Sequence, residues 1–150
     1  MTAVFFEVVG DPVGQGSMRA IKDRGGTARV VQGGTAEARK RLHTWRDRIA
    51  DAAGKAALGT VLDGPVAVKA DFFLQAPKSL KKGVRWVCTL KRDDVDKLAR
   101  ALLDGLTEGA VFIDDGQVSR LTVTKSYALD RRPGVRVWVT PLDHALAPKA

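Results

Sequence analysis

Residues 91–117 read KRDDVDKLARALLDGLTEGAVFIDDGQ, and the parsing of this stretch decides the fold. Val95, Leu98, Ala99, Leu102, Leu103 and Leu106 follow the i, i+3, i+4, i+7, i+8, i+11 spacing of one apolar helical face. Asp94 stands where an N-cap belongs, and Gly109 lies just beyond the last apolar position. Asp96, Arg100 and Asp104 are four apart and share a stripe turned away from the core-facing one. The predicted helix therefore has acids at its start, Asp93, Asp94 and Asp96, and again just after it, Asp114 and Asp115.

This pattern has a chemical implication. Asp94 and Asp96 fall on the first turn, where free backbone N–H groups and the helix dipole favour negative charge. A short turn after Gly109 reverses the chain, so that Asp114 and Asp115 are expected to come back toward the same helix. Three or four converging carboxylates repel one another, and a divalent cation with hard oxygen ligands relieves the repulsion. Mg²⁺ fits best, with Mn²⁺ as a substitute, because it takes one or two carboxylates, waters and substrate phosphate. Held in this way it can activate water at a phosphodiester. Taken singly, an Asp at a helix start is a cap and Asp-Asp-Gly is a turn; the metal reading rests on their combination in a basic chain.

Outward from the central helix, the flanking segments read as strands and one further helix. On the N-terminal side, Val4–Val9 is a run of β-formers, and Thr35–Ala57 is a predicted helix with Thr35 as cap and Ala38, Leu42, Trp45, Ile49 and Ala52 or Ala53 as core stripe. Pro65–Leu74 alternates, with Val66, Val68, Ala70 and Phe72 on one face. On the C-terminal side, Gln117–Tyr127 and Val135–Thr140 are strands joined by Asp130–Gly134, a hairpin turn by composition. The order β-α-β-α-β-β implies a single α/β domain over residues 1–141, a four-stranded mixed sheet with helices packed against it and the acids at one end, followed by a tail over 142–150.

Two long basic segments interrupt these elements. Gly10–Gly34 reads as a Gly-rich loop carrying Arg19, Lys22, Arg24 and Arg29, and its G-x-G lacks the Lys-Ser/Thr of a phosphate-binding P-loop. Ala76–Leu90 carries Lys78, Lys81, Lys82 and Arg85 together with Trp86, a candidate for stacking on an unpaired base. Lys91, Arg92 and Lys97 continue the positive charge up to and into the acidic helix. The arginines of the 35–57 helix form either a solvated face or a grip on backbone phosphates.

Composition agrees with an anionic partner. The 150 residues carry a net charge of +8 and a pI of about 10.0, with 45% hydrophobic and 28% charged residues, which is globular rather than disordered. Cys88 is the only cysteine, so there is no intrachain disulfide and no thiolate zinc site; His43 and His144 lack partners at metal-binding spacing. No signal peptide and no membrane-spanning run is visible, and a reducing cytoplasm is the expected setting.

DVDKLARALLDGL at 94–106 followed by VFIDDGQV at 111–118 resembles the core of the RusA family of Holliday-junction resolvases. That family's pattern is D-x-D-N-L-x-K-A, a helix, then a D-D-x-Q-V/I turn into a strand ending near a Lys, a place Lys125 takes here. The resemblance implies Asp94, Asp96 and Asp115 as catalytic, metal-holding carboxylates, with Asp114 beside them. It implies Arg100 and Lys125 at the phosphate, and basic residues after the first strand that reach DNA. Lys97 stands where Asn is usual and Arg100 where a functional Lys is usual. It further implies a Mg²⁺-dependent endonuclease, a homodimer making paired symmetric nicks in four-way junctions, and a role in recombination and repair, often in phages or prophages. A non-catalytic branched-DNA-binding protein and a less selective nuclease of the same fold are the alternatives.

Overall fold

The computed structural model of the chain describes residues 3–16, 18–80 and 93–142, and only the backbone of residues 18, 19, 31 and 32. Its elements, in chain order, are β1 (Val4–Val9), β2 (Met18–Lys22), β3 (Ala28–Gln32), α1 (Ala36–Ala57), β4 (Val66–Leu74), α2 (Val95–Glu108), β5 (Val118–Tyr127) and β6 (Gly134–Pro141). A single 3-10 turn, Asp115–Gln117, leads into β5.

The main sheet has the order β1-β6-β4-β5. β6 runs antiparallel to both β1 and β4, and β5 runs parallel to β4, so the sheet is mixed. A parallel neighbour needs a long return path, and α2 supplies it between β4 and β5. The core follows from alternation: Val66, Val68, Ala70, Phe72 and Leu74 of β4 and Val135, Val137 and Val139 of β6 are buried, and their neighbours face outward. Leu42, Trp45 and Ile49 of α1 and Leu98, Leu102 and Leu106 of α2 close over the same face. The two helices meet where a Cβ on Gly105 would stand 2.7 Å from Ile49 Cγ2, an approach only glycine permits. On the opposite face Phe5 packs on Trp138 with ring centroids 5.2 Å apart, and Lys69 lies 4.9 Å from the centre of the Trp138 ring.

The four-stranded mixed sheet and the β-α-β-α-β-β order agree with the expectation from sequence, and each long element begins and ends within a residue of it. Two local expectations are corrected. Residues 10–34 are not one loop: MRAIK and ARVVQ pair as an antiparallel hairpin separate from the main sheet. Asp23 makes its turn, with Oδ1 accepting from the N–H groups of Gly25 (3.0 Å) and Thr27 (2.9 Å). Second, β5 and β6 do not form a hairpin. Each pairs with β4 from a different side, so residues 128–133 cross the end of β4. The turn composition of Asp130–Gly134 is real, but β6 takes the place between β1 and β4, and β5 stays at the edge of the sheet.

Candidate functional site

α2 starts where the acids are. Asp94 occupies the N-cap position but makes no side-chain capping hydrogen bond. Its Oδ2 instead lies 3.3 Å from Lys97 Nζ, one turn into the helix. The structural explanation of Asp94, a cap, therefore does not use its carboxylate. Asp96 and Arg100 are exposed on successive turns. Lys125, on β5, donates from Nζ to the carbonyl of Asp93 at 3.0 Å, which fixes this ammonium at the same end of α2.

The second acidic pair divides its labour. Asp114 shapes the turn: it caps the 3-10 segment, accepting from Gly116 N–H at 3.1 Å. That bond and one from Asp115 hold its carboxyl below the usual range. Asp115 is pushed the other way, upward, first by its hydrogen bond with Asp114, then by partial burial and by the negative charges of Asp114 and Asp104. Gln117 locks the turn in place. Its Oε1 accepts from Ile113 N–H (2.8 Å) and Asp114 N–H (3.1 Å), and its Nε2 donates to the carbonyls of Leu62 (2.9 Å) and Gly64 (2.8 Å). All four hydrogen-bonding positions of the amide are used, and Asp115 stands beside Asp114 at the surface of the turn.

The two acidic pairs return to the same helix but to opposite ends of it. Asp104, whose charge reaches Asp115, is ten residues along the chain from Asp94, or about 15 Å at the rise of a helix. Strand register gives the same answer. Lys125, at the Asp93 end, lies opposite Phe72, whereas the Asp115 turn feeds Val118, opposite Val66; seven residues of strand span about 23 Å. Among the described residues, no three His, Cys, Asp or Glu side chains stand close enough together to hold a metal ion. One chain thus offers two ligand-poor acidic sites, at the two ends of α2, in place of the single convergence at one end of the sheet that the sequence suggested.

The basic residues distribute as follows. Lys22, Arg24 and Arg29 are exposed on the β2–β3 hairpin, and Lys78 is exposed just after β4. Arg19 lies on β2, with its side chain outside the described residues, as are Lys81, Lys82, Arg85, Trp86, Lys91 and Arg92 entirely. Lys97 is at the acidic end through its pair with Asp94.

Sequence reasoning passed over two residues that bind the site together. Gln15 is 8% exposed, its N–H donates to Lys97 O at 2.9 Å, and its Nε2 donates to Asp104 Oδ2 at 2.8 Å. It pins the segment after β1 along α2, from the Asp94 end toward Asp104. A polar residue between two glycines gives no sign of burial in the sequence. Asp104 was visible only as a member of a helical stripe, and its neighbourhood with Asp115 is a product of the fold.

The geometry describes an open, carboxylate-bearing helix flanked by cations, which suits phosphodiester chemistry. No curated protein matches the chain. The family profile described as Endodeoxyribonuclease RusA matches residues 10–140, from the end of β1 to the end of β6, and so includes both acidic pairs, Gln15, Gln117 and Lys125. A match over this much of 150 residues settles kinship: the chain belongs to the RusA family of endodeoxyribonucleases.

Proposed function

We propose that the protein is a divalent-metal-dependent, structure-selective endonuclease that resolves four-way DNA junctions as a homodimer. The observation that carries this reading is the placement of carboxylates that cap nothing, Asp94 with Asp96 and Asp115, toward opposite ends of α2. A two-fold axis that sets two α2 helices antiparallel brings Asp94 and Asp96 of one protomer to the partner's Asp115, and repeats the arrangement at the other end. Two equivalent sites then face a substrate that has the same symmetry.

The donor set fits a hard cation. Asp94 is not used as a cap, and Asp115 has its pKa raised first by its hydrogen bond with Asp114, then by burial and by the charges of Asp114 and Asp104, a crowding that a bound cation would relieve. Mg²⁺, when bound, supplies Lewis acidity and a more acidic water. The remaining work belongs to the chain. Asp94, Asp96 and Asp115 hold the ion and orient the attacking water. Arg100 and Lys125 neutralise charge developing on the phosphate, and Lys125 is held for this by the Asp93 carbonyl. Asp114 and Gln117 keep Asp115 in position. The exposed Lys22, Arg24 and Arg29 of the hairpin, with Lys78, take up backbone phosphates of the arms.

A second reading, a branched-DNA-binding protein without activity, is favoured by one observation: the Lys97 ammonium already sits at Asp94, where a metal would be. A labelled four-way junction, incubated with and without Mg²⁺, separates the two. Paired nicks that need Mg²⁺ support the nuclease. Tight binding without cleavage at any Mg²⁺ concentration supports the binding protein.

A further inference from the structure

A cleft of about 790 Å³ opens beside the Asp94 end of α2. Arg39, Arg41 and Arg48 of α1 line it together with Asp11, Gly14 and Gly16 of the segment after β1 and with Asp93. Leu42 and Leu74, nearly buried, also line it, and its arginines with Lys40 outnumber Asp11 and Asp93. Its wall is built on the site: Gly14, in that wall, packs so closely that a Cβ there would lie 3.0 Å from Lys97 Cβ, and Gln15 beside it is bonded to both Lys97 and Asp104.

We propose that this cleft receives an unpaired stretch of DNA strand, one or two nucleotides long, next to the phosphate to be cut. The argument rests on the reading of the Asp94 end as the cleavage site and says which form of the substrate approaches it. The volume lies within the range of pockets that enclose small ligands, far too small for a duplex about 20 Å across. A positively charged groove that tracks the backbone is part of how proteins hold single strands without reading their sequence, and arginine adds cation–π contact with the bases. The arginines have the needed freedom: Arg41 is exposed on α1, and Arg39 spends one donor on the Gly34 carbonyl at 2.7 Å. Arg48 reaches the Val9 carbonyl at 3.3 Å and helps to hold the wall. A branch point is where a duplex gives up paired bases, so a cleft that accepts only an opened strand would favour junctions over linear duplex.

The test compares Arg39→Ser/Arg41→Ser with a control of equal charge loss, Lys55→Ser/Arg132→Ser, both at exposed positions away from the cleft. The probes are a ten-nucleotide oligo-dT and a blunt duplex long enough to stay paired, followed by fluorescence anisotropy without divalent metal. The cleft variant is expected to lose about tenfold in oligo-dT affinity and about 1.4 from the salt slope, the share of two phosphates on a single strand. Its duplex affinity should fall no further than that of the control. Arg39→Lys/Arg41→Lys should recover most of the oligo-dT affinity, which guards against a loss caused by misfolding. Equal oligo-dT losses in the cleft variant and the control, or equal losses on oligo-dT and duplex, would overturn the proposal. Cleavage is not a readout here, so an inactive wild-type protein would count against the nuclease reading alone.

Discussion

Lys97 is the residue on which the chemistry of the Asp94 end turns. Its Nζ, 3.3 Å from Asp94 Oδ2, is half-exposed, so the pair contributes little to stability. If Asp94 holds a divalent ion as proposed, this ammonium stands where the ion would bind and would compete with it. Lys97→Asn should therefore lower the Mg²⁺ concentration that gives half-maximal cleavage, by several-fold, while melting temperature stays within about 1 °C. An unchanged Mg²⁺ requirement would show that Asp94 is not a ligand. Asp115 allows a second prediction, in which the sign matters. Its folded-state pKa is raised, so its ionised form costs the fold stability that is absent at acid pH and appears as pH rises through the carboxylate range. Asp114, shifted downward, titrates with it as a pair. Asp115→Asn removes the repulsion at neutral pH and keeps a good turn residue. It should raise the melting temperature on the order of 1 °C at pH 7, with the gain vanishing in acid, and abolish cleavage. A lower melting temperature at pH 7 would mean that the carboxylate serves the turn.

At the scale of elements, the helices and the core strands were legible because periodicity and packing agree. Val135, Val137 and Val139 alternate with Arg136 and Trp138 and are wholly buried; nothing in the tertiary structure contradicts the local pattern. The β2–β3 hairpin was not legible because the segment is rich in glycine and its strands pair with each other and not with the main sheet, and among their described side chains none is buried to write an apolar alternation. The false β5–β6 hairpin has a different cause: turn residues report a reversal of direction and say nothing of which strand lies next. Gly105 was unremarkable in sequence and proves to be the contact between helices. An added methyl would meet Ile49 Cβ at 2.9 Å and Arg46 O at 3.4 Å, atoms close to or in the backbone that cannot swing aside. Gly105→Ala gains about 1 kcal/mol of helix propensity against an overpacking cost of about 1–3 kcal/mol. The net expectation is a melting temperature lower by a few degrees; a rise would show that α1 and α2 have room to move apart.

For the whole molecule, candidate site residues could be named from the sequence, but their arrangement could not. Spacing identifies Asp94, Asp96 and Asp115 as chemically notable and says that the chain turns back between them. Only the length of α2 and the register of β5 on β4 show that the turn carries Asp115 to the far end of the helix. No group of three His, Cys, Asp or Glu stands together among the described residues of one protomer, and under the proposed function a homodimer would have to complete the site. This can be tested by mixing inactive proteins. Asp94→Asn/Asp96→Asn damages one end of α2 and Asp115→Asn the other. In a mixed dimer with sites shared between protomers, one site receives Asp94, Asp96 and Asp115 all intact, and the other receives none of them. Two singly inactive proteins, allowed to exchange subunits, should recover up to half the site activity of a wild-type dimer in the fraction that mixes, and should cut one strand of a junction without the symmetric partner nick. If each site belonged to one chain, every protomer in the mixture would carry a damaged site, and exchange would restore nothing. Nicks in single strands after mixing, with none before, would therefore establish that the acidic ends of two α2 helices work together; silence after exchange verified by mass spectrometry would return the site to a single chain.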